Sequence, residues 1–403
     1  MTTHVHLEPV TLERVLAIHD RTLASGVIVQ VGGNTALRLA ADLSARGIRV
    51  FGTPAGALEG VQAAVDSTRE LDASTLDDAI AIDVEAVADG RRVVIAGVME
   101  HLEPAFVHSG DAAAILPSFT RNPEVGARIE DRVRAIALEH GIIGLLAVRL
   151  AVVGDQIVVT SVEPRAGRTS AFVSRATGFA LVRIATKVML GMSLDELGVT
   201  DRPLPRHVAA RERVFPFERL GVDQALGREM RSTGEVIGLD DSPARAYAKA
   251  LRGIGISLRA PTARGDQGTA GTGARGMLLS VSDHDKIAAV DLARRFRAIG
   301  FEVFALGGVR AALTAARVPF VDGGGEDPHR AIDEVAQGRA AFAVVTAKGD
   351  AEIARTRALR AATLAAHIPC FTTMRLAGLG CSALEEAPIA RVRTLQDWYA
   401  ADA

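Results

Sequence analysis

Hydrophobic and polar positions change rhythm several times along this 403-residue chain, and each change predicts a different kind of element. An apolar, β-branched run from Gly26 to Val31 precedes a helical pattern over 34–46, and a second apolar run follows at 48–51. Strand, helix and strand in that order predict a βαβ unit. Its first turn, Gly32-Gly33-Asn34-Thr35, puts glycines where the chain must turn sharply and Asn34 or Thr35 where a helix N-cap belongs. Such a turn can hold an anion, and it can equally be the tight turn of any parallel α/β sheet.

From Ala79 the period drops to two. Residues 80–87 alternate, Asp89-Gly90 makes a hairpin turn, and 92–99 return. A helix is predicted over 123–140. A second hairpin follows, 145–153 and 156–162 about Gly154-Asp155, and runs into Pro164-Arg165-Ala166-Gly167-Arg168-Thr169. Strands grouped in hairpins point to an antiparallel sheet. Residues 201–258 are mixed and more polar, and 261–276, rich in Gly, Thr and Ala, read as a flexible linker. Gly271, Gly273 and Gly276 have the spacing of a dinucleotide fingerprint, but that motif must follow a strand and open a helix, and here it precedes a strand. Strands at 277–281, 302–306, 342–346 and 370–373 then alternate with helical segments at 284–299 and 351–366, which predicts a small doubly wound α/β domain.

Composition narrows the partners. With 48% hydrophobic and 23% charged residues and a net charge of -2, the chain has the make-up of a globular protein, without the charge blocks that bind nucleic acid or an anionic membrane. A small anionic metabolite or a protein partner fits better. The amino terminus lacks a basic start before an apolar core, and the most apolar stretch, 141–154, is short and carries Arg149. A cytoplasmic chain is expected. The two cysteines, Cys370 and Cys381, have neither zinc nor redox spacing. Glu100, His101, Glu103, His108 and Asp111 are ligand types that suit zinc, although no metal is expected there.

Several segments, in order and nearly end to end, resemble the second synthetase half of carbamoyl-phosphate synthase large subunits. They are 8–13 (EPVTLE), 26–35 (GVIVQVGGNT), 99–111 (MEHLEPAFVHSGD), 164–178 (PRAGRTSAFVSRATG), 187–199 (KVMLGMSLDELGV) and 227–238 (GREMRSTGEVIG). The resemblance implies an α/β chain with a pre-ATP-grasp domain at 1–62, an ATP-grasp domain of α+β type with an antiparallel sheet at 63–200, and a connecting segment at 201–260. The linker at 261–276 and a methylglyoxal-synthase-like regulatory domain at 277–403 complete it. In that family the second half uses ATP to phosphorylate carbamate.

The departures from the family carry as much information. A lid subdomain separates the first domain from the strand pair beginning near Leu76 in the family, and here only the 16 residues from Gly60 to Thr75 do so. A βαβ unit alone needs roughly 30 residues, so the lid is missing, and with it the means to exclude water and hold phosphates in line. By the resemblance, the nucleotide-site remnants are Leu76, Val107, His108 and Ser109, a ribose-binding glutamate is replaced by Ala81, and a glycine by Phe106. The family's magnesium ligands, Gln, Glu and Asn, match Arg149, Ser161 and Glu163. A permanently protonated guanidinium cannot replace a hard oxygen donor, so no metal is expected. Arg149 and Glu163 lie on the two strands of one predicted hairpin, where an ion pair could stand in for the metal, or both could be solvated independently.

Arg165, Arg168 and Thr169 survive from the family's substrate and phosphate loop. They could bind carbamoyl phosphate, phosphate or a carboxylate, or could brace the fold. In the last domain Lys286 matches an effector-binding lysine and could equally be a solvated helix residue. The paired threonines match Leu306 and Val309, and the Asn-Thr-Thr run reads Thr346-Ala347-Lys348.

The resemblance and its departures together imply a chain of this family without autonomous ATP-dependent carbamate phosphorylation. It would be a scaffold or regulatory relative able to bind a small anion, self-associating or docking on a synthetase-like protein. The sequence leaves the catalytic residues unknown, and no cofactor is expected. Two alternatives stay open: a ligase using ATP and Mg²⁺ with parts supplied by a partner, and an ATP-independent enzyme acting on an anionic substrate.

Overall fold

The computed structural model describes residues 4–66, 79–104, 107–119, 122–201, 205–216, 223–227, 229–260, 276–324, 328–386 and 392–400. Leu76, Phe106 and nearly all of the 261–276 linker therefore lie outside the described residues. The chain forms two compact units: Met1–Ala105 with Leu116–Arg206 and Thr394–Ala403, and Phe106–Ile115 with His207–Arg393.

The first unit opens with a helix at Leu12–Thr22, which the sequence reading did not anticipate. Strand β1 (Val27–Ile28) then pairs in parallel with β2 (Val50–Phe51). The expected single helix between them is two short ones, Gly33–Arg38 and Ala40–Ala45. Gly32, not Asn34 or Thr35, is the N-cap of the first of these, which begins at Gly33; Gly33 itself has a left-handed φ of +72°, which glycine adopts at little cost. Val29, Leu37, Leu43, Ile48 and Leu58 form the core of this βαβ unit.

The rest of the unit is built on antiparallel strands β3 (Ile80–Asp89), β4 (Val93–Pro104), β6 (Ile143–Val153) and β7 (Gln156–Glu163), in spatial order β7-β6-β3-β4. The short buried strand β5 (Ala114–Leu116) intervenes in sequence. Alternation along β3 sends Ile82, Val84 and Ala86 to one face, where they pack with Val98, Leu146, Val148, Leu150 and the apolar stripe Val125, Ile129, Val133 and Ile136 of the helix Pro123–Glu139. That helix starts where Asn122 Oδ1 accepts the Val125 amide at 2.8 Å, with Pro123 as its first residue. Asn122→Ala should cost about 1 kcal/mol, read as a lower urea midpoint at unchanged slope; an unchanged midpoint would mean the cap is dispensable.

In the second unit, β8 (Val208–Val214) and β9 (Gly234–Asp240) pair antiparallel under the helix Pro243–Gly253. Gly238 permits the close approach, since a Cβ there would lie 2.0 Å from the Ala246 carbonyl oxygen. The segment read as mixed and polar thus holds a sheet. The unit also contains a five-stranded parallel sheet ordered β12-β11-β10-β13-β14: β10 (Gly276–Ser280), β11 (Glu302–Ala305), β12 (Val321–Asp322), β13 (Ala340–Val345) and β14 (Cys370–Phe371). Helices Lys286–Ala298 and Gly349–Ala365 fall where the sequence pattern placed them, and Val309–Ala315, His329–Ala336 and Met374–Glu385 are additional. Phe342 contacts Phe296, Phe301 and Phe371 at ring-centroid distances of 4.9, 4.9 and 6.2 Å, joining strands to helices.

Candidate functional site

On β3 the residues opposite the apolar face are Ala81, Asp83, Glu85 and Val87, two carboxylates in a strand whose residues 81–88 are all buried. Register then assembles the site. Arg149 on β6 lies opposite Asp83, Met99 on β4 lies opposite Asp83 on the other side, and Ser161 on β7 lies opposite Arg149. The Arg149 guanidinium donates to Asp83 through Nε at 2.9 Å and Nη2 at 3.4 Å, and His101 Nε2 lies 3.0 Å from Asp83 Oδ2. Burial alone would raise the Asp83 pKa, but Arg149 and then His101 hold its carboxyl well below the usual carboxylate range.

The expected ion pair between Arg149 and Glu163 does not form. Glu163 lies opposite Ala147 rather than Arg149, while Asp83 is the direct cross-strand neighbour of Arg149. Glu163 instead accepts from Arg165 Nη2 at 2.5 Å. Arg149, Ser161 and Glu163 therefore do not fit a hard divalent cation: one is a cation already spent on Asp83, and the carboxylate is spent on Arg165. Among the described residues, no group of three or more His, Cys, Asp and Glu side chains is placed to hold a metal ion. Of the five residues with zinc-type chemistry, Glu100 accepts from Ser118 Oγ and the Phe119 amide, His101 meets Asp83, and Asp111 accepts the Arg231 and Ser232 amides.

The arginine loop is anchored from the βαβ unit. Gln30, fully buried, donates to the carbonyls of Pro164 (2.8 Å) and Leu145 (3.3 Å), and its own carbonyl accepts the Ala166 amide at 2.7 Å. Gly52 and Gly144 leave room for it, with φ of +97° and +111°; a Cβ on either would come within 3 Å of Gln30 Oε1. Arg168 and Thr169 open the helix Arg168–Thr177, Arg168 exposed and Thr169 half-buried. Ser170 Oγ, one residue on, donates to Glu85 Oε2 at 2.9 Å. Burial pushes the Glu85 carboxyl up to about 8; Ser170 and Arg165 oppose that rise, and Asp83 and Glu163 add to it. Gln30, Asp83 and Glu85 were not singled out from sequence. The signal was present, as polar residues inside otherwise apolar strand runs.

In the second unit, Val107, His108 and Ser109 form a loop held by structural contacts. Arg211 and Arg213, almost fully buried on β8, donate to the Ser109 and Ala112 carbonyls at 3.2–3.3 Å, and Arg213 also pairs with Glu235. His108 Nδ1 accepts the Gly110 amide at 2.9 Å, and the Asp111 carboxylate accepts the Arg231 and Ser232 amides at 2.7 and 2.9 Å.

Two family models match the chain: the carbamoyl phosphate synthase preATP-grasp domain over residues 1–60 and the MGS-like domain over residues 288–372. The carbamoyl phosphate synthase large chain of Halomonas eurihalina is 34% identical over an alignment 468 positions long, taking in 98% of this chain and 43% of that one. The corresponding chain of Myxococcus xanthus is 32% identical over 99% of this chain and 43% of its own length. The chain is a relative of carbamoyl phosphate synthase large chains. It spans less than half the length of these relatives. Among solved structures, the biotin carboxylase domain of a single-chain bacterial carboxylase superposes at a TM-score of 0.47 and 14% identity, over 60% of this chain and 75% of that one.

The five-stranded parallel sheet of this carbamoyl phosphate synthase relative, most of which lies in the MGS-like match, carries a cleft of about 270 Å³. It sits at the carboxyl end of the central strand β10, where the strand order reverses, the usual place for a ligand in an open α/β sheet. Lys286 lines it, and its Nζ lies 2.6 Å from Asp283 Oδ1. Thr346 Oγ1 donates to Asp285 at 2.6 Å. Leu306 and Val309, which the resemblance sets at threonine positions, are buried. Lys286 is thus a cleft residue whose charge is matched within the chain. No helix among the described residues is long and apolar enough to cross a membrane.

Proposed function

We propose that this carbamoyl phosphate synthase relative does not itself phosphorylate carbamate with ATP. It acts as a non-catalytic scaffold or regulatory chain that associates with copies of itself or with a synthetase-like chain, and it keeps a small-anion site on the loop Arg165–Thr169. The observation that carries this reading is the Arg149–Asp83 ion pair, 2.9 Å long and set where the resemblance puts a magnesium ligand. A guanidinium there both removes an oxygen donor and repels a cation, which the ATP phosphates need for neutralisation. Ala81, buried at the ribose-binding position, accepts no hydrogen bond. The short spacing after Gly60 leaves no length for a lid.

Calorimetric titration of the full chain with ATP and Mg²⁺ tests this. The expected outcome is no binding heat and no thermal shift. Micromolar binding would reverse the reading and favour a ligase whose missing parts come from another chain.

A further inference from the structure

The first compact unit is not continuous in sequence: residues 207–393 belong to the second unit, and Thr394–Ala403 return to the first. Arg393, the last residue of the second unit in sequence, has Nη1 3.9 Å from Asp241 Oδ1. The next residue opens a short helix, Leu395–Ala400, that closes its own amino end: Thr394 Oγ1 accepts the Asp397 amide at 3.1 Å, and Asp397 Oδ2 accepts the Thr394 amide at 3.3 Å. Trp398 is buried, 3% exposed. Tyr399 sits on the carboxyl end of the helix Arg168–Thr177, where its hydroxyl donates to the Arg175 carbonyl at 2.5 Å. A carbonyl in the last turn has no amide of its own helix to accept, and the Phe179 amide, four residues beyond Arg175, turns to Thr177 Oγ1 at 3.2 Å. Gly178 ends the helix with φ +68°, and a Cβ there would lie 3.0–3.2 Å from three atoms of the Tyr399 ring. The end of this helix is shaped for an aromatic side chain, and the chain fills it with a segment that follows the second unit in sequence.

We propose that the carboxyl end of the helix Arg168–Thr177, together with Gly178, is a docking seat that takes the segment 394–400 of a second copy of this chain as well as its own, and that exchange of this segment joins the copies. The proposal rests on the reading that the chain associates with copies of itself, and it names the surface. Three observations select this occupant. The seat already holds the same segment within one chain, and a contact made within a chain can be remade between two copies at little net cost. The segment carries its own helix cap with it, in Thr394 and Asp397. Seat and segment are joined through residues of the second unit, so no short loop forces them together in one chain. In the exchanged pair Trp398 and Tyr399 of each copy fill the seat of the other, which closes the pair about a two-fold axis and leaves neither seat open.

Two variants of the full chain, mixed, test this. Trp398→Ala spoils the segment and leaves the seat. Gly178→Asn spoils the seat and leaves the segment, because asparagine tolerates the left-handed conformation of Gly178 but puts a side chain against the Tyr399 ring. Trp398 is the only tryptophan, so all indole emission in the mixture comes from the Gly178→Asn chain. On mixing, that emission should move to the blue and saturate at one to one, and sedimentation velocity should show a species of twice the mass that neither variant forms alone. Adding Tyr399→Phe to the Gly178→Asn chain removes only the hydroxyl and should weaken the pairing about fivefold. A chain carrying both Trp398→Ala and Gly178→Asn has no seat to offer and should leave the emission unchanged. Far-UV circular dichroism checks that each variant is folded; if Trp398→Ala is not, Tyr399→Ala replaces it, with mass as the readout. No blue shift and no doubled mass from the folded pair, or equal pairing with the doubly substituted chain, would overturn the proposal. Wild-type chains that associate while the mixture does not would keep the association reading and sink only the seat, and the ATP titration bears on neither result.

Discussion

Arg149→Ala lowers the stability of the first compact unit by about 3–5 kcal/mol, the range for breaking a buried ion pair by removing one partner. Asp83 is 7% exposed, and without the guanidinium its charge would face burial with His101 alone. Asp83→Asn together with Arg149→Gln leaves no uncompensated charge and should cost less than the two single changes summed, with a coupling of about 1 kcal/mol or more. Glu163→Ala, at a position 45% exposed, should cost no more than about 1 kcal/mol. The only tryptophan, Trp398, is buried in this unit, so its fluorescence in urea follows the transition. Simple additivity of Asp83 and Arg149, or a larger loss from Glu163→Ala, would contradict the pairing in the structure.

The second large effect is on pH dependence. Glu85 has a folded pKa raised from 4.5 to about 8, so between those values the folded chain holds a proton that the unfolded chain has released. Its contribution to stability is therefore full below about pH 4.5 and is lost as pH rises towards 8. A tenfold difference in proton affinity between folded and unfolded chain is worth about 1.4 kcal/mol, which makes the loss on the order of a few kcal/mol. Asp83 has the opposite sign: its depressed pKa stabilises the fold above the ordinary carboxylate range, and that contribution disappears as pH falls below it. Glu85→Gln should flatten the alkaline side of the stability profile, raise the thermal midpoint at pH 8–9 by several degrees and leave the acid side intact. An unchanged slope between pH 5 and 8 would mean that Glu85 ionises freely.

Much of this could be read from the sequence where one local rule dominates. The Asp89-Gly90 and Gly154-Asp155 turns, each flanked by alternating residues, located both hairpins of the first sheet. The β8–β9 pair was not legible, because the buried charges of Arg211, Glu212 and Arg213 disguise β8 as a polar segment. The short helices Val309–Ala315 and His329–Ala336 span too few turns for a clear apolar period. At the candidate site, Arg149, Glu163 and Arg165 stood out by comparison with a family pattern. Asp83, the actual partner of Arg149, did not, since cross-strand partners depend on register, which a list of residues does not give.

The clamp on the loop 107–112 ties a residue signature to the fold itself. Its carbonyls are gripped by two buried arginines, and its aspartate secures two amides of the segment before β9. Losing those contacts would cost stability whether or not a nucleotide ever binds. A residue whose only contact is with a ligand has no such second reason to stay. Over generations a recognisable signature can therefore outlive the chemistry it once marked, kept in place by the architecture beneath it.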